Sequence, residues 1–239
     1  METKTNKIAL LVDGDNAQPR LLKLVLEEAT KYGKVTIRRI YGDWTTTRMS
    51  GWKEALNEMA FQPIQKFSYT TGKNSTDSAL IIDAMDILHD RVVDGFCIAS
   101  SDSDYTGLAK RIREEGIFVM GIGEKKTPAA FVKSCEIFTY SENLDPTKQE
   151  KPEKKAAHKT PKSLPNMELI NKAFEMSVDD ESNEAHVSTM GSSLRKLDPS
   201  FDCRTYGFNT LTQLFSSLHG FKVVDNFVNG QNQRLLKRV

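Results

Sequence analysis

The sequence predicts a doubly wound α/β domain with a mostly parallel sheet, followed by a small winged-helix (α+β) domain. Over residues 1–144 short apolar, β-rich runs alternate with helical patterns, the succession that right-handed strand–helix–strand crossovers require. Over residues 145–164, "DPTKQEKPEKKAAHKTPKSL", apolar periodicity stops and Lys and Pro dominate, which predicts a flexible basic linker. From residue 165 the pattern changes to three short helices and two strands about Asn229-Gly230, a hairpin turn signal.

The elements follow in order. "IALLV" is the first buried strand, and "LLKLVLEEATKYG" the helix behind it. "VTIRRIYGD" and "FQPIQKFS" are strands separated by the helix "SGWKEALNEMA". "STDSALIIDAMDILHD" is a longer helix leading to the strand "GFCIASSD". "DYTGLAKRIREEG", "IFVMGIG", "PAAFVKSC" and "IFTYSE" complete the alternation, with Thr127 expected as a helix cap and Pro128 at the first helical position. In the second domain helices are expected near 167–177, 188–197 and 209–217, and "FKVVDNFVNGQNQRLLKRV" is the two-stranded wing. Phe201, Tyr206, Phe208 and Phe215 are expected in its core rather than as platforms for bases.

With 239 residues the chain has length for one ordinary domain and a small one. Its apolar runs are strand-sized, far below the roughly 20 residues of a membrane span, and "METKTNKIALLVD" lacks a signal-peptide layout. A cytoplasmic location is expected. Cys97, Cys135 and Cys203 are odd in number and lack CxxC spacing, which excludes a disulfide framework and a zinc site. Net charge is +1, and the basic excess lies in the linker. Residues 1–144 carry 19 Lys+Arg against 20 Asp+Glu, residues 145–164 carry 6 against 3, and residues 165–239 carry 8 against 9. The second domain therefore lacks the broad basic footprint of a strong electrostatic nucleic-acid binder.

Ligands of doubly wound sheets sit outside the carboxyl ends of the strands, so residues directly after strands come first. Where a dinucleotide fold places glycines, this chain has Asp13, Gly14, Asp15 and Asn16. Asp102 and Asp104 follow another strand in "ASSDSDY". At about 100° per residue, Asp77 shares a helix stripe with Ile81, Ala84 and Leu88, while Asp83, Asp86 and Asp90 fall on the opposite, wet face. Like charges gathered at one rim require a compensating cation. Carboxylates without Cys or His suit Mg²⁺ or Mn²⁺, and a hard cation with open positions suits phosphodiester hydrolysis. Asp13, Asp77, Asp102 and Asp104 are the expected ligands, Asn16 positions water or phosphate, and Asp15 shapes the turn. Lys125 and Lys126 are candidate backbone-phosphate contacts. In the second domain Arg195, Lys196, Arg204, Lys222 and Arg234 are expected to line one face.

"LLVDGDN", "RRIYGDW", "STDSALIIDAM" and "IASSDSDYTGLAKRIREEGIFVMGIG", in that order, resemble the NYN domain, a PIN-like ribonuclease family, over roughly residues 6–143. The resemblance implies a PIN-like fold, metal-dependent RNA cleavage, and a site at Asp13, Asn16, Asp77, Asp102 and Asp104. Residues from about 165 to 239, with "SFDCRTYGFNTLTQLF" as motif core, are similar to the LOTUS or OST-HTH winged-helix family. That resemblance implies RNA binding, or a protein partner. Two other functions fit parts of the sequence. Asp13-x-Asp15 matches the start of a haloacid-dehalogenase-type phosphatase motif, though Ala17 stands where that motif wants Thr or Val. A non-catalytic RNA-binding adaptor would retain the acids for a structural metal.

Overall fold

The computed structural model describes residues 6–67, 75–145, 164–179, 182–228 and 231–239, within two compact units, Met1–Glu150 and Lys151–Val239. Most of the expected linker, 146–163, lies outside the described residues, as does the Asn229-Gly230 turn.

The first unit runs β1 (Lys7–Asp13), α1 (Leu22–Thr30), β2 (Lys34–Gly42), α2 (Lys53–Met59), β3 (Gln62–Gln65), α3 (Ser75–Asp90), β4 (Gly95–Ala99), α4 (Thr106–Glu114), β5 (Phe118–Gly123), α5 (Ala129–Ser134), β6 (Ile137–Tyr140) and a single turn α6 (Ser141–Leu144). The six strands lie in the order β3-β2-β1-β4-β5-β6, every pairing parallel. The strand order reverses between β1 and β4, and α3 carries the chain from the β3 edge to that central position.

Alternation along the strands builds two cores. Ala9 and Leu11 of β1 and Phe96 and Ile98 of β4 face α3, α4 and α5, joined by Leu80, Ala84, Leu108 and Phe131. Ile8, Leu10 and Val12, with Cys97 and Ala99, face α1 and α2, joined by Leu22, Val25, Trp52 and Leu56. Strands covered on both faces must be apolar on both, which is why "IALLV" shows no polar alternation. The buried Cys97 and Cys135 are core residues, their thiols pushed upward by burial, that of Cys135 to about 12.

The second unit holds α7 (Met167–Glu175), β7 (Val178–Asp179), β8 (Glu184–His186), α8 (Val187–Leu197), α9 (Leu211–Ser216), β9 (Phe221–Val228) and β10 (Gln231–Arg238). The three helices fall where the periodicity puts them, and β9 pairs antiparallel with β10 as a hairpin. The wing is larger than expected: β8 adds to β10 and β7 to β8, giving a four-stranded sheet, β7-β8-β10-β9. Strands of two and three residues are too short to show alternation. Phe201 and Phe215 are buried in the core, with Tyr206 and Phe208 packed against it.

Candidate metal centre

Asp13 ends β1 and is wholly buried. Its Oδ1 accepts the Asp15 N–H at 3.1 Å, while Oδ2 accepts the Asn16 amide at 2.7 Å and the Ser100 hydroxyl at 2.8 Å. The Ser100 oxygen in turn accepts the Asp102 N–H at 3.1 Å. Asn16, Asp13, Ser100 and Asp102 thus form one hydrogen-bonded line across the ends of β1 and β4. Burial raises the Asp13 pKa, and the Asn16, Ser100 and Asp15 donors oppose that rise. A carboxylate enclosed by three donors is not poised to attack a phosphorus atom, so the phosphatase reading is set aside.

Gly14 serves close packing. Its N–H bonds the Tyr41 carbonyl at 2.8 Å, and a Cβ here would lie 2.8 Å from that oxygen and 2.7 Å from Met49 Cε. The glycine lets the strand exits of β1 and β2 touch. Asp15 shapes the turn with its N–H, and its carboxylate stands 3.9 Å from Arg48.

Asp102 precedes a short 3-10 turn, Ser103–Tyr105, and its Oδ1 accepts the Asp104 N–H at 3.0 Å, the bond that suits Asp to a cap. The turn sends Tyr105 inward, where its ring is fully buried and its hydroxyl donates to Asp77 Oδ1 at 2.7 Å. Asp77 lies in the first turn of α3. Ala84 and Leu88 on the same stripe are buried, with Ile81 packed alongside, as the helix geometry requires. One carboxylate oxygen from each of Asp77, Asp102 and Asp104 lies within 4.8 Å of the others. Burial raises the Asp77 pKa most, the Tyr105 hydroxyl lowers it, and the charges of Asp13, Asp102 and Asp104 raise it further.

The structure therefore brings together three of the four expected ligands at the point where the strand order reverses. Asp13, the acid expected first, stands behind them with both oxygens hydrogen-bonded, and Asn16 is engaged by Asp13. Three hard oxygen donors without nitrogen or sulfur fit Mg²⁺ or Mn²⁺.

Asp83 departs from its expected place on the wet face. It accepts hydrogen bonds from the Tyr41 hydroxyl and from the half-buried Arg39 guanidinium. Projection on a helix wheel sees only the helix; the long β2 side chains reach around its edge. Thr127 and Pro128 also sit one step from expectation. Pro128 has extended ψ and occupies the cap position itself, while the Thr127 hydroxyl donates to the Glu124 carbonyl at 2.6 Å. Lys126 pairs with Glu124 at 2.8 Å, and the exposed Lys125 sends its N–H to the Glu142 carboxylate.

In the second unit Arg195 and Lys196 lie in the last turn of α8, half-buried and exposed. Arg204 is bound to Asp202 through Nε and Nη2. Arg234 contacts Thr212 and Asp225. The residue missed in the sequence is Tyr105. Its signal was its position directly after Asp104, at the foot of a turn opened by a capping Asp.

The NYN domain model matches residues 7–142, and the OST-HTH/LOTUS domain model matches residues 163–229. A search of curated proteins found no significant match. Among solved structures, a protein of unknown function from Vibrio parahaemolyticus is similar at 21% identity and TM-score 0.50, over 58% of this chain and 94% of its own. That likeness shows the fold. An uncharacterised protein from Nitrosomonas europaea shares 28% identity over 38% of this chain and 88% of its own, with a TM-score of 0.32. Among the described residues no helix is long and apolar enough to cross a membrane. The sheet order, the acids at its reversal point and the family match converge: the chain belongs to the NYN family, with a PIN-like nuclease fold followed by an OST-HTH/LOTUS RNA-binding module.

Proposed function

We propose that this protein is a Mg²⁺- or Mn²⁺-dependent ribonuclease that hydrolyses RNA phosphodiester bonds, its second domain holding the RNA. The observation that carries the reading is the approach of the Asp77, Asp102 and Asp104 carboxylates to within 4.8 Å at the sheet's reversal point. These three acids hold the cation, with Asp13 as a fourth acid behind them. Held by Asp77, Asp102 and Asp104, such an ion would supply Lewis-acid polarisation of a phosphodiester oxygen and a more acidic water at neutral pH. Tyr105 orients Asp77 through its hydroxyl. Ser100 transmits the fixed position of Asp13 and Asn16 to the backbone of Asp102. Lys125 and Lys126 attract the RNA backbone toward the rim, and Arg195, Lys196 and Arg204 are the contacts assigned to the second domain. A cytoplasmic location accords with three free thiols. The domain limits proposed are 1–144, 145–164 and 165–239.

The test is incubation of labelled single-stranded and structured RNA with the wild type and Asp102→Asn in Mg²⁺, Mn²⁺ and EDTA. Cleavage by the wild type with metal, abolished by EDTA and by the substitution, is expected. Binding without cleavage of any RNA replaces the nuclease by an adaptor. Cleavage that survives EDTA or the substitution belongs to a contaminant.

A further inference from the structure

A half-open cavity of about 40 Å³ opens beside the acids on the other side of the rim. Val12, Leu22, Val25, Trp52 and Ile122 wall it, residues of the core under α1 and α2, whereas Tyr105 belongs to the opposite core. Asn16 and Ser100 line the cavity and also bind the Asp13 carboxylate, so cavity and metal centre share a wall. The space equals about three waters, enough for the edge of one inserted ring.

We propose that this cavity takes an unpaired RNA base beside the scissile phosphate and selects guanine. The position next to that phosphate rests on the nuclease reading; binding of the base does not. A nucleic-acid chain crossing the rim with a phosphate at the acids brings a neighbouring base over an apolar slot with an indole in its wall. The polar groups at the mouth decide which base. Glu124 contributes a carboxylate, an acceptor only. Gln18 Nε2 donates to it at 3.2 Å, and the Glu124 N–H bonds the Ser101 hydroxyl at 2.8 Å. Gln18 Oε1 accepts from Arg20 at 3.1 Å, which turns the amide so that its donor side faces Glu124.

Among the four RNA bases, guanine alone presents two adjacent N–H donors, at N1 and N2, for a carboxylate to accept in parallel. Adenine and cytosine place a ring acceptor beside their amino group, which the carboxylate repels. Uracil sets its single imino donor between two carbonyls. Beside the two donors guanine carries O6, an acceptor for the amide of Gln18 or Asn16. Unpaired bases are commonly read at this edge. The Glu124–Lys126 pair is exposed on the lysine side, and such pairs yield readily to a competing partner.

The test uses the full chain labelled with ¹⁵N, reading the indole N–H signals of Trp44 and Trp52, assigned with Trp44→Phe. Guanosine 5′-monophosphate is expected to move the Trp52 signal saturably, with AMP, CMP and UMP at least tenfold weaker. Glu124→Gln is expected to erase that discrimination, and Gln18→Ala to weaken it, while the Trp44 signal stays in place and reports the fold. Equal responses to all four nucleotides, or none, overturn the proposal. Cut sites on an RNA containing every dinucleotide separate this reading from the nuclease. Cuts beside guanine in the wild type, evenly spread in Glu124→Gln, support both. Cutting without base preference overturns the guanine pocket and keeps the nuclease. Selective binding of the guanine nucleotide with no cutting overturns the nuclease and keeps the pocket.

Discussion

Asp102→Asn separates the charge of the acidic trio from its architecture. Asn caps a helical turn as well as Asp does, so the bond to the Asp104 N–H is retained while one charge is lost. With carboxylate oxygens no more than 4.8 Å apart, Coulomb's law gives at least about 0.9 kcal/mol of repulsion per pair at the dielectric of water. Asp104 is exposed and Asp102 half-exposed, so the water-like limit applies. Relief of two pairs makes the metal-free variant more stable by about 1–2 kcal/mol, or about 3–6 °C in Tm for a domain of this size. Metal acts in the opposite sense. At a hundredfold excess over its Kd a cation adds about 2.7 kcal/mol to the wild type, and the variant with one ligand fewer gains far less. The assay is thermal unfolding of both proteins in EDTA and in graded Mn²⁺. A variant no more stable than wild type in EDTA, together with a wild type indifferent to Mn²⁺, refutes the clustering of the acids.

Tyr105→Phe removes the donor to Asp77 Oδ1 and leaves the buried ring in place. A hydrogen bond to a charged acceptor is worth about 1.5–3 kcal/mol, so Mn²⁺ affinity measured by calorimetry is expected to change at least fivefold; unchanged affinity means that Tyr105 does not orient Asp77. The raised pKa of Asp77 also fixes a sign. Between the unfolded value near 3.8 and the raised folded value the native state binds more protons, so metal-free stability falls as pH rises through that window and stays lower above it. Stabilisation by metal runs the other way, vanishing as pH falls through the same window. Tm of the wild type minus that of Asp77→Asn, followed from pH 4 to 8 with and without Mn²⁺, displays both slopes; equal signs contradict the assignment.

The sheet was legible because strands covered on both faces leave unbroken apolar runs, and the acids because they follow such runs directly. Asp77 was legible for another reason: a helix repeats every 3.6 residues, so its stripe is computable from spacing alone. What spacing does not contain is the reach of a neighbouring element. Asp83 looked solvated until Tyr41 and Arg39 met it from β2. The enclosure of Asp13 depends on Ser100, 87 positions away. The short strands β7 and β8 escaped because two or three residues carry no period. The cavity at Trp52 escaped because empty space has no residue of its own.

The reversal of strand order between β1 and β4 has a consequence for how the acidic site comes into being. Asp13 leaves the ribosome before the other acids, and Asp77, Asp102 and Asp104 join it only after α3 has crossed the sheet and β4 has taken its place beside β1. Closing a loop of that length is slow relative to local helix formation. Until β4 has emerged, the acids of the chain therefore stay apart. A protein proposed to cut RNA is itself translated from RNA, and its topology keeps the acidic site unassembled until β4 has been threaded out.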